Sequence, residues 1–366
     1  MMILSNDHAY TYNFRKEVIQ RLLDDGYKVC VVLPYGESVE KLKEMGCDFY
    51  HISLNRRGKN IFQDINLLMN YYKILKKVKP SLVLTYTLKP NLYGSIACQI
   101  MKVPHINNIT GLGSAFIKDS WGRKFLLSIY KIALRKSTHV FCQNSSDLNF
   151  LKNNKIINEN SSLIPGSGVN LSEFIYSEME SYENKRFLYI GRIMKDKGID
   201  EYLLAAKNLK LKYPNAQFEV VGYVEPSQLE YEGKLKRLHE ERIINYMGYS
   251  KNVKPIIQNT QCIIQPSHGG EGISNVLLES GAMGKLLIAS NIPGCKETID
   301  NGKNGYIFEV QNHIHLQEQI EKVIKLDVDK IKTMGRNSRI KMEKEFDREI
   351  VVSEYSEKIN QILLKG

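Results

Sequence analysis

Residues 266–279 read PSHGGEGISNVLLE, a glycine-rich loop between two regular patterns. The preceding residues, 262–265, form a short apolar run typical of a buried strand, and a helical pattern follows over 276–282 with Ser274 or Asn275 as its expected N-cap. Gly269, Gly270 and Gly272 allow the backbone to approach a ligand closely, because they carry no Cβ. The free N–H groups at the start of the helix favour a phosphate or diphosphate.

Two carboxylates belong to this stretch, Glu271 in the loop and Glu279 on the helix. Residues eight apart do not share a helix face at about 100° per residue. We therefore expect the two glutamates to contact different parts of one long ligand.

Strand and helix patterns alternate on both sides of this loop. In the first half, strands are predicted at 2–5, 27–34, 48–53, 81–86, 105–110 and 139–144, with helices near 12–25, 37–46, 60–79, 91–101, 121–136 and 145–153. In the second half, strands are predicted at 187–190, 217–222, 245–249, 262–265, 286–290 and 305–309. This alternation indicates α/β domains with doubly wound parallel sheets, whose ligands bind at the carboxyl ends of the strands.

The spacing of Glu271 and Glu279 in this context resembles the family-4 retaining glycosyltransferases, which have the GT-B fold. The resemblance implies two Rossmann-like, doubly wound parallel-sheet domains facing across a cleft. It implies that Glu271 is catalytic and contacts the donor sugar, and that Glu279 contacts the nucleotide ribose. The expected donor-binding residues are Gly191, Gly270, Gly272, Ile273, Ser274, Asn275 and Glu279.

A second element of the resemblance is the loop 191–198, Gly-Arg followed by Lys-Gly, after the strand at 187–190. In the family the Arg and Lys neutralise the donor diphosphate, so Arg192 and Lys197 are the other expected catalytic residues. A guanidinium gives a bidentate fork and an ammonium a point charge, and both suit phosphate oxygens.

The acceptor is expected at two strand-end loops of the first half. The candidate acceptor-binding residues are Asp7, His8, Thr110, Gly111 and Gly113. The run from 107 to 116 is similar to a subgroup that extends lipid-diphosphate-linked bacterial glycans, including N-acetylgalactosaminyltransferases. That similarity implies a polyprenyl-diphosphate-linked glycan acceptor.

Four segments are expected along the 366 residues. An acceptor-binding domain covers 1–168, a linker 169–184 and a nucleotide-sugar-binding domain 185–346. The amphipathic segment 347–366 is expected to pack back on the first domain.

Charge is divided unevenly along the chain. The formal net charge is +11, residues 1–170 carry 23 Lys/Arg against 12 Asp/Glu, and residues 171–366 carry 28 against 28. This asymmetry suggests an anionic partner for the first half. Nucleic-acid-binding motifs are absent from the sequence, so an anionic membrane surface is the preferred partner. The amphipathic helix near 121–136 and the basic residues of 56–59 and 73–79 are the candidate contacts.

The location expected is therefore the cytoplasmic, inner face of the cell membrane, with peripheral attachment. No run approaches the ~20 apolar residues of a membrane span, and the start of the sequence lacks signal-peptide features. Six scattered cysteines indicate reduced thiols in a core. The Asp-x-Asp at 327–329 lies away from strand-end loops and is interpreted as a solvated linker, so no metal and no cofactor are expected.

The function expected is transfer of a hexose or N-acetylhexosamine from a UDP-sugar to a glycan, with retention of configuration. Two alternatives remain open. A UDP-sugar 2-epimerase would share the architecture without needing an acceptor, and a non-catalytic sugar- or lipid-binding protein would leave UDP-sugar unaltered.

Overall fold

The computed structural model of the chain describes residues 1–55, 58, 60–113, 121–178 and 183–364. These residues form two compact units. The first unit holds residues 1–168 together with 348–366, and the second holds 169–347. Each unit contains one parallel sheet with helices on both faces, which confirms the predicted fold class.

The sheet of the first unit has seven parallel strands in the order β3-β2-β1-β4-β5-β6-β7. The strands are β1 (Met2–Leu4), β2 (Cys30–Leu33), β3 (Asp48–His51), β4 (Val83–Tyr86), β5 (His105–Ile109), β6 (His139–Cys142) and β7 (Ser161–Leu163). Successive side chains of β1 lie on opposite faces of the sheet. Ile3 packs in the core on one face, and Met2 and Leu4 pack in the core on the other. A strand buried on both faces is mostly apolar, and β1 and β2, which are buried at every position, are continuous apolar runs.

Six helices connect these strands. They are α1 (His8–Asp24), α2 (Ser38–Glu44), α3 (Ile61–Val78), α4 (Ser95–Met101), α5 (Trp121–Leu134) and α6 (Ser145–Asn153), and a π-helical turn, Pro90–Gly94, precedes α4. Helix α1 begins four residues before the predicted 12, because the Asp7 carboxylate caps it by accepting the Tyr10 N–H at 2.7 Å.

Strand β7 was not predicted, since residues 161–163 are two serines and a leucine. It pairs in parallel with β6 at the edge of the sheet. An edge strand of three residues has no apolar periodicity to reveal it, and only pairing with its neighbour defines it.

The sheet of the second unit has six parallel strands in the order β10-β9-β8-β11-β12-β13. They are β8 (Arg186–Ile190), β9 (Gln217–Val221), β10 (Asn245–Tyr246), β11 (Cys262–Gln265), β12 (Leu286–Ser290) and β13 (Gly305–Phe308). Its helices are α7 (Ile199–Lys212), α8 (Glu230–Glu240), α9 (Lys254–Gln258), α10 (Asn275–Ala282), α11 (His313–Ile324) and α12 (Val328–Glu345). Along β11, Ile264 packs in one core and Ile263 in the other.

The boundary between the units differs from the expected linker. Val169 and Phe174 are buried in a core of the second unit, and Glu173 forms an ion pair with Lys254 at 2.9 Å. The described part of 169–184 therefore packs as part of this unit, while residues 179–182 lie outside the description. The Asp-x-Asp at 327–329 caps a helix, because the Asp327 carboxylate accepts the Lys330 N–H at 2.7 Å.

The final helix, α13 (Arg348–Leu363), belongs to the first unit. Arg348 is buried and bonds the Glu17 carboxylate of α1 at 2.8 Å and the Gly168 carbonyl at 3.1 Å. Tyr355 packs in the core, where its hydroxyl accepts a hydrogen bond from the Asn108 amide at 2.6 Å. A buried, paired charge and an apolar face together attach this helix to the unit.

All six cysteines are buried and free. Burial raises the pKa of the Cys30 thiol to about 12 and that of Cys47 to about 11, so both are uncharged core side chains. Among the helices of the described residues, none is long and apolar enough to cross a membrane.

Acid should destabilise the first unit through His139. Burial, followed by the charge of Lys358, lowers the pKa of this histidine from 6.5 to about 4. The unfolded chain therefore binds a proton before the folded chain does, and stability falls as the pH drops from ~6.5 towards ~4. Wild type should lose about 2 kcal/mol more than His139→Gln between pH ~7 and pH ~5.

Urea unfolding followed by tryptophan fluorescence measures this loss, since the single tryptophan, Trp121, belongs to the first unit. His51→Gln, at an exposed histidine of the same unit, is the control. An equal loss in wild type and His139→Gln would contradict the assignment.

Candidate active site

Three neighbouring strands of the second unit, β8, β11 and β12, end at one edge of the sheet. The loops that follow are 191–198, 266–274 and 291–298. The chain proceeds from β8 to β9 on one side, and β11 lies on the other side of β8. Strand order therefore reverses at β8, the kind of position at which open α/β sheets bind ligands.

An ion pair between Lys197 and Glu271 joins the first two loops. Their side chains are 20% and 18% exposed. Burial alone would raise the pKa of Glu271, but the Lys197 ammonium, the Ser267 hydroxyl at 2.8 Å and the charge of Arg192 together hold this pKa below its ordinary value. Glu271 is therefore ionised at neutral pH, and it acts as an acceptor and a negative charge rather than as an acid.

The second predicted cation, Arg192, lies in the same loop. Its guanidinium forms an ion pair with Glu225 at 3.3 Å, and its side chain is 37% exposed. Glu225 follows β9 and was not predicted from the sequence. Its position after a strand of the same sheet was the available signal.

Backbone and side-chain hydrogen bonds attach the loop after β11 to the one after β8. The Asp196 carbonyl accepts the His268 N–H at 2.9 Å and the Ser267 hydroxyl at 3.4 Å. The His268 ring contacts Glu201 through Nε2 at 3.1 Å and Gln311 through Nδ1 at 3.2 Å. These contacts hold Lys197 and Glu271 in register.

The loop 291–298 packs against the loop that carries Glu271. Gly294 has φ +86°, and a Cβ there would lie 2.0 Å from the Gly272 carbonyl oxygen and 2.9 Å from the Cβ of Glu271. The Gly294 carbonyl accepts the Ser274 N–H at 2.8 Å, and its own N–H donates to the Glu297 carboxylate at 2.7 Å. Only glycine permits this approach of two loops.

The predicted donor-binding residues lie at this edge of the sheet but differ in burial and in hydrogen bonding. Gly191 directly follows β8, and Gly270 and Gly272 lie in the loop beside Glu271. Ile273 is 6% exposed and packs in the core, so its backbone alone is available for a ligand. The Ser274 N–H is already bonded to Gly294.

Helix α10 begins directly at the loop and carries two more predicted residues. Within the described residues, Ser274 makes no side-chain capping bond, and the buried Asn275 Oδ1 has no partner. Glu279 is half-buried, one turn further along the same helix. The helix thus presents its amino end to the Lys197–Glu271 pair, as an anion site requires.

The predicted acceptor residues lie at the carboxyl edge of the first sheet. Asp7 caps α1, and the His8 Nδ1 accepts the Ser38 N–H at 3.3 Å, so both hold local structure. Thr110, Gly111 and Gly113 follow β5, and a Cβ on Gly113 would contact no atom of the described residues within 4 Å. The structure brings these five residues to one edge of one sheet.

Thr87, at the same edge, is a further candidate that was not predicted from the sequence. It follows β4 with φ 71°, which is strained for a β-branched residue. The buried Oγ atoms of Thr87 and Ser5 and the Oδ1 atom of Asn6 have no hydrogen-bond partner among the described residues. Strained backbone and unsatisfied polar atoms cluster at binding sites more often than elsewhere.

Comparison with known proteins adds an independent finding. Two protein-family models match the chain. The model described as Glycosyl transferase 4-like matches residues 2–144, and the model described as Glycosyl transferases group 1 matches residues 175–341. The N,N'-diacetylbacillosaminyl-diphospho-undecaprenol alpha-1,3-N-acetylgalactosaminyltransferase of Campylobacter jejuni is 25% identical over 98% of both chains. The UDP-Gal:alpha-D-GlcNAc-diphosphoundecaprenol alpha-1,3-galactosyltransferase of Escherichia coli is 25% identical over 78% of this chain and 76% of its own.

Among solved structures, HepE of Anabaena in complex with UDP and glucose superimposes with a TM-score of 0.80 at 16% identity, over 98% of each chain. This likeness concerns the fold. Together the two family models span most of the chain, and the division between the two units falls within the stretch between them, residues 145–174. The chain therefore belongs to the glycosyltransferases with the GT-B fold, with a glycosyl transferase 4-like first unit and a group 1 second unit.

Proposed function

We propose that the chain transfers a hexose or N-acetylhexosamine from a UDP-sugar to a polyprenyl-diphosphate-linked glycan, with retention of configuration, in bacterial surface-glycan synthesis. The observation that carries this proposal is the Lys197–Glu271 ion pair beside Arg192 and the amino end of α10. The names of the Campylobacter and Escherichia relatives support the acceptor class, and the latter names a UDP-sugar donor.

Cleavage of the sugar–phosphate bond leaves negative charge on the departing UDP. Lys197, Arg192 and the first N–H groups of α10 supply positive charge at one edge of the sheet. Groups that are already oriented stabilise such charge without reorganisation, and stabilisation of this kind commonly contributes more to catalysis than any other effect. In this proposal no metal is required, because these groups do the neutralisation.

Glu271 contributes a fixed negative charge at the donor sugar. Its depressed pKa keeps it ionised, so it accepts hydrogen bonds from sugar hydroxyls and stabilises positive charge that develops on the sugar ring. This role agrees with attack on the same face through an oxocarbenium-like state. Glu279, further along α10, accepts hydrogen bonds from the ribose hydroxyls.

Chromatographic separation and mass spectrometry of the products test the proposal, since chromatography separates epimers of equal mass. The full chain is incubated with a panel of UDP-sugars and polyprenyl-diphosphate sugars. A lipid-linked product longer by one sugar, with UDP formed only when acceptor is present, is expected. An epimerised UDP-sugar without acceptor would favour the 2-epimerase, and unchanged UDP-sugar would favour a non-catalytic binding protein.

Loss of Glu279 should weaken nucleotide binding. Glu279→Ala removes a charged hydrogen-bond acceptor, worth about 1.5–3 kcal/mol. Calorimetric titration with UDP should therefore show roughly ten- to hundredfold weaker binding. Glu240→Ala removes an exposed carboxylate from α8 of the same unit and is the matched control. Equal UDP affinity in wild type and Glu279→Ala would contradict the ribose role.

The basic first half supports peripheral attachment to an anionic membrane on the cytoplasmic side. Residues 51–150 carry 15 Lys/Arg against 3 Asp/Glu. Each basic residue at such a surface contributes on the order of 1 kcal/mol, which salt screens over ~10 Å. Of the predicted contacts, Arg56, Arg57 and Lys59 lie outside the described residues. Sedimentation with anionic vesicles at low salt, but not with neutral vesicles, is expected, and an unbound protein in both would refute attachment.

A further inference from the structure

Helix α3 (Ile61–Val78) of the first unit has an outward face that is apolar in its first half. Ile61, Phe62, Ile65 and Met69 are 63%, 79%, 54% and 47% exposed. The opposite face of the helix is buried through Leu67, Tyr71 and Leu75. Four large apolar side chains exposed within three turns form a patch of the kind that marks an interaction surface.

The second half of the same face is basic. At about 100° per residue, Lys73, Lys76 and Lys77 lie within about 60° of the direction of Phe62, as do Ile65 and Met69. All three lysines are exposed. The only acid of the helix, Asp64, points the other way and bonds Lys89 at 2.6 Å and the Tyr93 hydroxyl at 2.8 Å. Apart from the exposed amide of Asn66, the outward face is therefore apolar and cationic, with no carboxylate.

The combination of apolar and basic residues on this face indicates which kind of partner would bind it. An anionic bilayer has negatively charged headgroups at its surface and apolar acyl chains just beneath them, so it matches both halves of the face. A protein partner would have to combine an apolar groove with an acidic one along the ~27 Å of the helix. An anionic bilayer provides both an apolar layer and negative charge at any position on its surface.

The apolar half is fixed to the edge of the sheet where the candidate acceptor residues lie. Lys89 follows β4 at that edge, and its ion pair with Asp64 joins the strand-end loop to the first turn of α3. The Asn60 side chain caps the helix by accepting the Phe62 N–H at 2.9 Å. The patch is thus held rigidly beside the carboxyl ends of the strands.

We propose that α3 inserts Ile61, Phe62, Ile65 and Met69 into the surface of an anionic bilayer while Lys73, Lys76 and Lys77 contact its headgroups. This inference rests on the proposed function in one respect, the lipid-linked acceptor that docking would bring to the edge of the first sheet. It differs from purely electrostatic attachment, because apolar insertion persists when salt screens the lysines.

Vesicle binding by the full chain tests the insertion. With phosphatidylglycerol-containing vesicles, Phe62→Ser/Ile65→Ser should partition roughly 100-fold less than wild type, about tenfold for each large side chain withdrawn. At high salt wild type should keep part of its binding and the double variant should lose all of it. Leu211→Ser, which removes an 82% exposed leucine from α7 of the second unit, should bind like wild type.

The lysines are tested in the same assay. Replacing Lys73, Lys76 and Lys77 by glutamine should weaken binding at low salt and leave high-salt binding unchanged. Glutamine at Lys207, Lys236 and Lys303, three exposed lysines of the second unit, is the matched control. Equal losses in both triple variants would show a general charge effect and overturn the assignment to α3.

A spectroscopic readout locates the side chain itself. Phe62→Trp should shift its emission to the blue with vesicles and be quenched by brominated acyl chains, after subtraction of wild type, which has the single Trp121. An unchanged emission, or vesicle binding by Phe62→Ser/Ile65→Ser equal to wild type, would overturn the proposal. Loss of self-association in light scattering, with vesicle binding unchanged, would overturn it in favour of a second copy of the chain.

Enzyme assays separate this inference from the proposed function. Phe62→Ser/Ile65→Ser should match wild type on a short-chain acceptor in free solution and be slower on a vesicle-embedded acceptor. If wild type turned over neither acceptor, the proposed function would fail while the vesicle measurements still decided the insertion.

Discussion

Lys197→Ala is expected to lower kcat about 100- to 1,000-fold while UDP affinity changes far less. The ammonium pairs with Glu271 in the resting enzyme and lies in the loop after β8, at the amino end of α10. Charge on the leaving UDP grows as the sugar–phosphate bond breaks. A cation that interacts more strongly with the transition state than with the bound donor therefore acts on turnover.

The matched control for this change is Lys195→Ala, which removes an exposed lysine two residues earlier in the same turn. Arg192→Ala should lower kcat less than Lys197→Ala, because Arg192 is more exposed and already paired with Glu225. The assay is initial velocity over a range of UDP-sugar concentrations. A weaker UDP affinity with an unchanged maximal rate would sink the assigned role.

The same variant has a signature in its pH profile. Burial raises the pKa of Glu271, and Lys197 is the main group that opposes it. Without the ammonium the pKa of Glu271 rises, so the carboxylate gains its proton at higher pH. The acid limb of kcat should therefore move to higher pH in Lys197→Ala, and it should stay in place in Lys195→Ala.

Gly294→Ala should destabilise the second unit and displace the loop that carries Glu271. The new Cβ would lie 2.0 Å from the Gly272 carbonyl oxygen and 2.9 Å from the Cβ of Glu271, so the loop that carries Glu271 must move. Positive φ adds a penalty for any residue with a Cβ. We expect a loss of about 2–4 kcal/mol in stability, and at least about tenfold weaker UDP binding.

Gly302→Ala is a close control for this prediction. Its φ is +80°, similar to the +86° of Gly294, but a Cβ there would meet no atom within 4 Å. The control carries the penalty for positive φ, about 1 kcal/mol, without the collision. Thermal unfolding followed by circular dichroism and UDP titration compare the two. Equal effects in both variants would show that the contact with Gly272 is unimportant.

The fold of both units could be predicted from the sequence alone. A strand covered on both faces is mostly apolar, so strands such as β11 and β12 appear as short, predominantly apolar runs. The glycine-rich loop was predicted from its position after a strand, since strand-end loops carry ligands in such sheets, whereas Lys197 was predicted from the family resemblance. The family resemblance then predicted which residues would face the donor.

The partners of those residues came from the tertiary structure. Lys197 and Glu271 are 74 residues apart, and Arg192 and Glu225 are 33 apart. Which strand-end loops become neighbours depends on strand order, and β8 lies beside β11 although two strands intervene in sequence. The position of Ile273 in the core and the contact of Gly294 with Gly272 depend on the same order.

For α3, likewise, the local sequence predicted the helix, while tertiary packing decided which of its side chains are exposed. The sequence predicted a helix near 60–79 and basic residues within it. The sequence pattern of α3 did not determine which of its apolar side chains would be buried, because apolar residues occur on more than one side of the helix. Packing of Leu67, Tyr71 and Leu75 against the sheet left Phe62 and Ile65 outside. Local periodicity thus determines which elements form, while burial and pairing are decided by residues distant in sequence, because only the assembled sheet brings them together.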